Sequence, residues 1–251
     1  MSFHAGKGTR IFAAEYDVSG EGRQIDLTVA EVDTVDSSTF TTANAKGTVQ
    51  GQYGASVAHK GVFTKDATNW DYWLHNTVGS FVDKGLTVVP GSYTVGATAY
   101  NGEIIEATAN RTAQTTDLVS IDASYKCKGP LGRGKLIEYE QDAAVGAQNG
   151  AEVDMGRATA ATEAWLITMH CTEINDGSSY YIKLQESSDS GGSPDTYADV
   201  ASGVLCVATV ATSLCTVLAG ARERYIRVVT TQEAGTPTAK FAVAVSIIPK
   251  P

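Results

Sequence analysis

The stretch Gln24-Ile25-Asp26-Leu27-Thr28-Val29-Ala30-Glu31 decides the class of the fold. Ile25, Leu27 and Val29 alternate with Asp26, Thr28 and Ala30. A period of two places the apolar side chains on one face of a strand and leaves the other face wet. The same pattern recurs outward from it. Residues 56–63 read as a strand, and 86–89 as another that ends on the turn signal Pro90-Gly91. Residues 118–126 alternate again, with Val119, Ile121, Ala123 and Tyr125 on one face. Residues 93–100 and 103–109 flank Asn101-Gly102, a dipeptide that predicts a two-residue hairpin turn. Beyond residue 156 the strands predicted are 165–171, 180–186, 204–210, 214–218, 225–231 and 241–248. Turn clusters such as Asn175-Asp176-Gly177-Ser178 separate them, which suits a jelly-roll or immunoglobulin-like sandwich.

One segment breaks the pattern. Trp70, Trp73, Leu74 and Val78 stand at helical spacing, with Thr64 or Asp66 to cap the start and Gly79 to stop it. A helix with two tryptophans on one face is expected to pack on the neighbouring sheet. After residue 135 come the acids Glu138, Glu140 and Asp142, then Gly146, Gln148, Asn149, Gly150 and Gly156, the composition of a connector. The expected organisation is a mainly β chain in two units. Residues 1–140 form a β-barrel or sandwich with one packed helix, 141–156 a linker, and 157–251 an all-β sandwich.

The 251 residues carry 28 acids against 19 Lys and Arg, a formal charge of −9. That balance excludes a protein that grips nucleic acid through its phosphates. The 43% of hydrophobic residues is enough for a core. The amino terminus lacks the apolar run of a signal peptide. Residues 203–221 are uncharged, but Thr209, Thr212, Ser213 and Thr216 interrupt them, so they read as two strands joined near Thr212-Ser213 rather than a membrane span. Cys206 and Cys215 would then face each other across a hairpin, leaving a disulfide open. Cys127 and Cys171 read as small buried side chains.

Chemistry-bearing patterns do not emerge. His4, His59, His75 and His170 are scattered, with no HExxH and no GxSxG. The GPLGRGK run at 129–135 departs from the phosphate-loop pattern, and the acidic, glycine-rich 189–192 lacks EF-hand spacing. The expectation is a non-enzymatic protein without metal or cofactor. The acids do cluster early: Glu15, Asp17, Glu21, Asp26, Glu31, Asp33 and Asp36 accompany a single base, Arg23.

Several motifs stand in a familiar order. His4-Ala5-Gly6-Lys7, Tyr16-Asp17-Val18-Ser19, the acidic segment Asp33 to Phe40 (DTVDSSTF) and ASVAHKGVF at 55–63 are followed by the helical stripe. Later come NGAEVDMG (149–156), AWLITMHCTEI (164–174), YYIKLQESSD (180–189), RYIRVVTT (224–231) and KFAVAVSIIP (240–249). In this order they resemble the major tail tube proteins of long-tailed, non-contractile bacteriophages, the second group resembling their accessory β domain. The longer loop at 190–195 departs from that pattern.

The resemblance implies a virion protein of the phage tail, assembled in the host cytoplasm. It would self-assemble into stacked rings, hexameric or, if both halves were tube folds, trimeric. The tape measure protein would occupy the lumen during assembly and genomic DNA would later pass through without specific binding. The early acids, Glu15 to Asp36, become candidate lumen-lining groups that repel phosphates. Trp70, Trp73, Leu74 and Val78 become the helix packed on the barrel. The second domain would lie outside, with Tyr180, Tyr181 and Tyr197 as candidate glycan contacts. Trp165 shares that chemistry but is expected in the core. The other reading is a carbohydrate-binding sandwich or adhesin.

Overall fold

The computed structural model describes residues 2–4, 8–19, 22–36, 48–62, 84–112, 120–140, 148–174, 180–208, 210–232 and 238–250. The helical stripe of Trp70, Trp73, Leu74 and Val78 lies outside them, as does Glu21. The described residues are built from strands. The first half contains β1 (Ser2–His4), β2 (Arg10–Ala13), β3 (Tyr16–Asp17), β4 (Gly22–Asp36), β5 (Thr48–Val62), β6 (Gly85–Val89), β7 (Thr98–Thr112), β8 (Ser120–Lys128) and β9 (Gly132–Glu140). The second contains β10 (Gln148–Asn149), β11 (Val153–Asp154), β12 (Glu163–Ile174), β13 (Tyr180–Ser187), β14 (Ala198–Ala208), β15 (Thr212–Ala219), β16 (Tyr225–Gln232) and β17 (Ala239–Pro249). The mainly β class follows the alternation read from the sequence.

All described ladders are antiparallel. One large sheet runs β1-β4-β5-β8-β7-β9-β17-β12-β15, with β3-β2-β6 attached to β7, and a smaller sheet runs β10-β16-β13-β14 with β11 also on β16. The alternation predicts the faces well. In β8, Ile121, Ala123, Tyr125 and Cys127 are buried while Asp122, Ser124, Lys126 and Lys128 face outward. Together with Ile25, Leu27 and Val57 they pack on Ile11, Ala13, Leu86 and Val88 of β2 and β6.

The large sheet curls at β7 and β9, so that β2 and β6 lie over β12 and β17. The strands inside the curl are buried on both faces and lose their alternation: β6 reads as five buried residues, and Trp165 to Cys171 is buried throughout. Phe12 and Val89 fill the curl against Leu136 and against Ala99, Ala242 and Ala244, small residues that let the layers approach. On its other face this layer meets the small sheet: Trp165, Ile167, Phe241 and Val243 pack on Tyr180, Ile182, Leu184, Ile226 and Val228. The result is four layers of strands with three apolar seams.

Three expectations change. Asn101-Gly102 is not a turn but lies inside β7. The Asn101 amide is buried and donates to the carbonyls of Leu166 (3.1 Å) and Ala244 (3.4 Å). A Cβ on Gly102 would sit 2.8 Å from Leu131 Cδ2, so the pair serves close packing instead. Second, the charged run beginning at Lys135 is not loop but the body of β9, laddered to β7 and β17. Within the expected linker 141–156, residues 148–149 and 153–154 are short strands on β16. Third, the two strands of 203–221 exist, but β14 pairs with β13 and β15 with β12, in different sheets. They form no hairpin ladder, and Cys215 is a buried thiol outside any disulfide.

Candidate assembly surface

Of the sequence-predicted acids, the side chains of Glu15, Asp17 and Asp26 are described, and each has its own partner. Glu15 pairs with Lys84 at 2.9 Å, and Asp17 pairs with Arg10 at 3.1 Å while also binding Ser19. The Arg10 guanidinium in turn lies 4.6 Å from the centre of the Tyr93 ring and 5.6 Å from that of Tyr139. Both acids pin the β2–β3 edge of the molecule. Asp26 is on β4, half-buried, and accepts from Gln24 Nε2 at 2.9 Å. Its neighbours on the outward face of β4, β5 and β8 include Thr28, Ser56, Lys60, Asp122 and Ser124, with Lys60 directly opposite Asp122. At the described side chains this face is hydroxyl-rich and mixed in charge, not uniformly acidic.

Glu31, Asp33 and Asp36 stand farther along β4. There the β4–β5 ladder continues to Asp36↔Thr48, while β8 accompanies β5 only as far as Gly54. Among the described strands, the last part of β4–β5 is therefore a two-stranded ribbon. At 15 residues each, these strands span about 50 Å.

The described sheet edges differ in how they are guarded. β1 covers only residues 24–26 of β4. β10 and β11 have two residues each. β14 is broken by register shifts opposite Lys183 and by Ser202, whose φ is +60°. β15 has neither bulge nor charge: its ladder to β12 runs unbroken from Ala164↔Ala219 to Cys171↔Thr212.

The second half carries most of the strong polar geometry. Tyr180 is buried and packs on Phe241, so it cannot contact an external glycan, and Trp165 is fully buried as expected. Tyr181 and Tyr197 are partly exposed. Arg227 lies 4.1 Å from the Tyr197 ring centre and donates to Gln185 Oε1 at 2.9 and 2.7 Å. Gln185 and Lys183 both donate to Asp199. At one end Arg224 grips Asp154 through two nitrogens, at 2.8 and 2.7 Å, and Asp189 at 2.6 Å. The Arg224 hydrogen bonds hold the Asp154 carboxyl down at about 2. No local spacing in the sequence marks this clamp: Arg224 stands just before β16, 35 residues from Asp189 and 70 from Asp154.

A buried polar seam joins the halves inside the curl. His170 Nδ1 donates to the Ala14 carbonyl at 2.6 Å, so Nε2 accepts from Thr87 Oγ1 at 2.8 Å. Thr87 is also 2.7 Å from Thr168 Oγ1. Burial pushes the His170 imidazole down to about 4, and does the same for His59. Among the described residues no group of three His, Cys, Asp or Glu is placed to hold a metal ion.

No protein-family model matches the sequence, and no curated protein matches it. Among solved structures, the chain is similar to the Dit protein of phage SPP1, a hub of the adsorption apparatus in phages infecting Gram-positive bacteria. The identity is 12%, the coverage 96% of this chain and 100% of that one, and the TM-score 0.32. The phage P2 baseplate gives 8% identity, 97% and 99% coverage and a TM-score of 0.30. A structure of infectious bursal disease virus gives 13%, 98% and 69%, and 0.22. Scores this low do not establish a shared fold.

Proposed function

We propose that this chain is a structural subunit of a bacteriophage tail, self-assembling into rings that stack into the tail tube. The observation that carries the reading is the β4–β5 ribbon, which runs past β8, the last strand beside it among the described residues. A lone two-stranded ribbon is marginally stable in water, and in this reading a neighbouring subunit covers the stretch from Val32↔Tyr53 to Asp36↔Thr48, which has no third strand among the described residues. The ordered resemblance to tail tube proteins supports the same reading. In it the ring neighbours complete each other's sheet edges, the tape measure protein fills the lumen during assembly, and DNA passes later. Glu31, Asp33 and Asp36, on the ribbon, are the acids proposed for the lumen wall. Hexameric rings are preferred over trimeric ones, and the outer part of residues 157–251 faces away from the lumen. Electron microscopy of the purified chain tests this: rings or hollow tubes are expected, and monomers persisting at high concentration overturn it.

A second reading, a carbohydrate-binding module, draws on the Tyr197–Arg227–Gln185–Asp199–Lys183 array on the small sheet. Fixed planar donors beside an aromatic ring suit a sugar. A glycan array on which Arg227→Ala binds as the parent does, or on which neither binds, removes it.

A further inference from the structure

β15 is the described edge that lacks every usual protection against pairing. Thr212–Ala219 contains no charge, no proline and no bulge, and pairs with β12 on one side only among the described strands. We propose that β15 is an interface between two copies of this chain, formed by antiparallel pairing of the strand with itself about a two-fold axis through Thr216.

The register follows from symmetry and burial. A two-fold axis normal to the sheet leaves each residue on its own face, so facing residues must be both even or both odd in number. An axis at Thr216 pairs Thr216 with itself, Leu214 with Leu218, Cys215 with Val217 and Ser213 with Ala219. Leu214 and Leu218 belong to the face that packs into the Trp165–Tyr180 seam, so two Leu–Leu pairs would continue that seam across the interface. Val217, 38% exposed in the single chain, would be covered on the other face. An axis at Cys215 instead sets Leu214 against Thr216 and Leu218 against Thr212, which breaks the apolar row. β4 is a poorer partner for itself, because Glu31, Asp33 and Asp36 would meet like charges. Uncharged β15 meets none. This contact closes on itself, so it describes a dimer of subunits or two rings facing each other. It is separate from the head-to-tail contacts of a ring and does not rest on the tube reading.

The test uses the full chain. Sedimentation of the parent is expected to show two copies, or a multiple of two. Val217→Lys, at an exposed position, should raise the dissociation constant by about tenfold or more while leaving the melting temperature measured at concentrations where both are monomeric unchanged. Thr216→Cys should form an intermolecular disulfide under mild oxidation, because facing antiparallel residues lie about 4.5–5.5 Å apart at Cα, within disulfide reach. A parent that is monomeric at all concentrations overturns the proposal. So does association untouched by Val217→Lys, or a Thr216→Cys dimer that fails to cross-link. Rings that form with Val217→Lys as readily as without it refute β15 pairing in the rings and leave the tube reading standing.

Discussion

At the residue scale, the buried histidines set how this protein responds to acid. His170 and His59 are both neutral when folded, with their titration pushed down to about 4 by burial. In the unfolded chain each takes up a proton near pH 6.5. Between pH 6.5 and 4 the unfolded state therefore binds more protons, and stability falls as pH falls across that window. Above pH 6.5 the contribution is fully present; below about 4 the folded state protonates too and the loss levels off. Each histidine accounts for up to about 3 kcal/mol of that loss, as an order of magnitude. Urea denaturation from pH 7.5 to 4 should show the slope, and His59→Gln or His170→Gln should each flatten it. A separate expectation concerns Thr87, whose hydroxyl is the donor to His170 Nε2. Thr87→Val keeps the shape but leaves that nitrogen buried without its donor, and should cost about 1–3 kcal/mol in the same assay.

At the scale of elements, glycines mark where strands cross too closely for a side chain. A Cβ on Gly134 of β9 would run into the Val245 carbonyl and lie 2.5 Å from Ser246 Cα of β17. Those are backbone atoms of a paired strand and cannot step aside. Gly134→Ala should therefore cost about 3 kcal/mol or more, read as a lowered urea midpoint. Gly156 is the control: it is open all round, and its φ of +86° makes alanine cost only about 1 kcal/mol. This is also the scale at which the sequence was easiest and hardest to read. The half-buried strands β4 and β8 announced their faces, because one side of each meets water. Inside the curl that signal vanishes, since β6, β12 and β17 are covered on both sides and their buried runs no longer alternate, even where Thr87, Thr168, His170 and Ser246 interrupt them. Asn101-Gly102 misled for a related reason. A turn dipeptide and a tight crossing both need an absent side chain and a compact amide, and only the partner strands distinguish them. The candidate site was less legible still: of the seven early acids, Glu15 and Asp17 are committed to Lys84 and Arg10, pairings that no local spacing reveals.

For the whole molecule, the curl decides whether the two halves are independent. The sequence suggests a cut at 141–156, yet β9 of the first half is laddered to β17 of the second from Ser246↔Gly134 to Phe241↔Glu140. The polar seam crosses the same divide, from His170 to Ala14 and Thr87, and from Gly85 N to Ser213 Oγ at 3.1 Å. Removing residues 141–251 would strip Phe12, Val89 and Leu136 of Ala242 and Ala244, and would leave Asn101 without either carbonyl it serves. Burying such groups without partners, or exposing an apolar layer to water, costs several kcal/mol against a typical total stability of about 5–15 kcal/mol. A fragment of residues 1–140 should therefore lack the dispersed amide spectrum of a folded β protein, and should gain it when the fragment 148–251 is added in equimolar amount. If 1–140 gives a sharp, dispersed spectrum by itself, the curl is not what holds the first half together. If the two fragments do restore each other, the unit that enters any assembly is the entire chain, with its outer β strands carried as part of the same folded body.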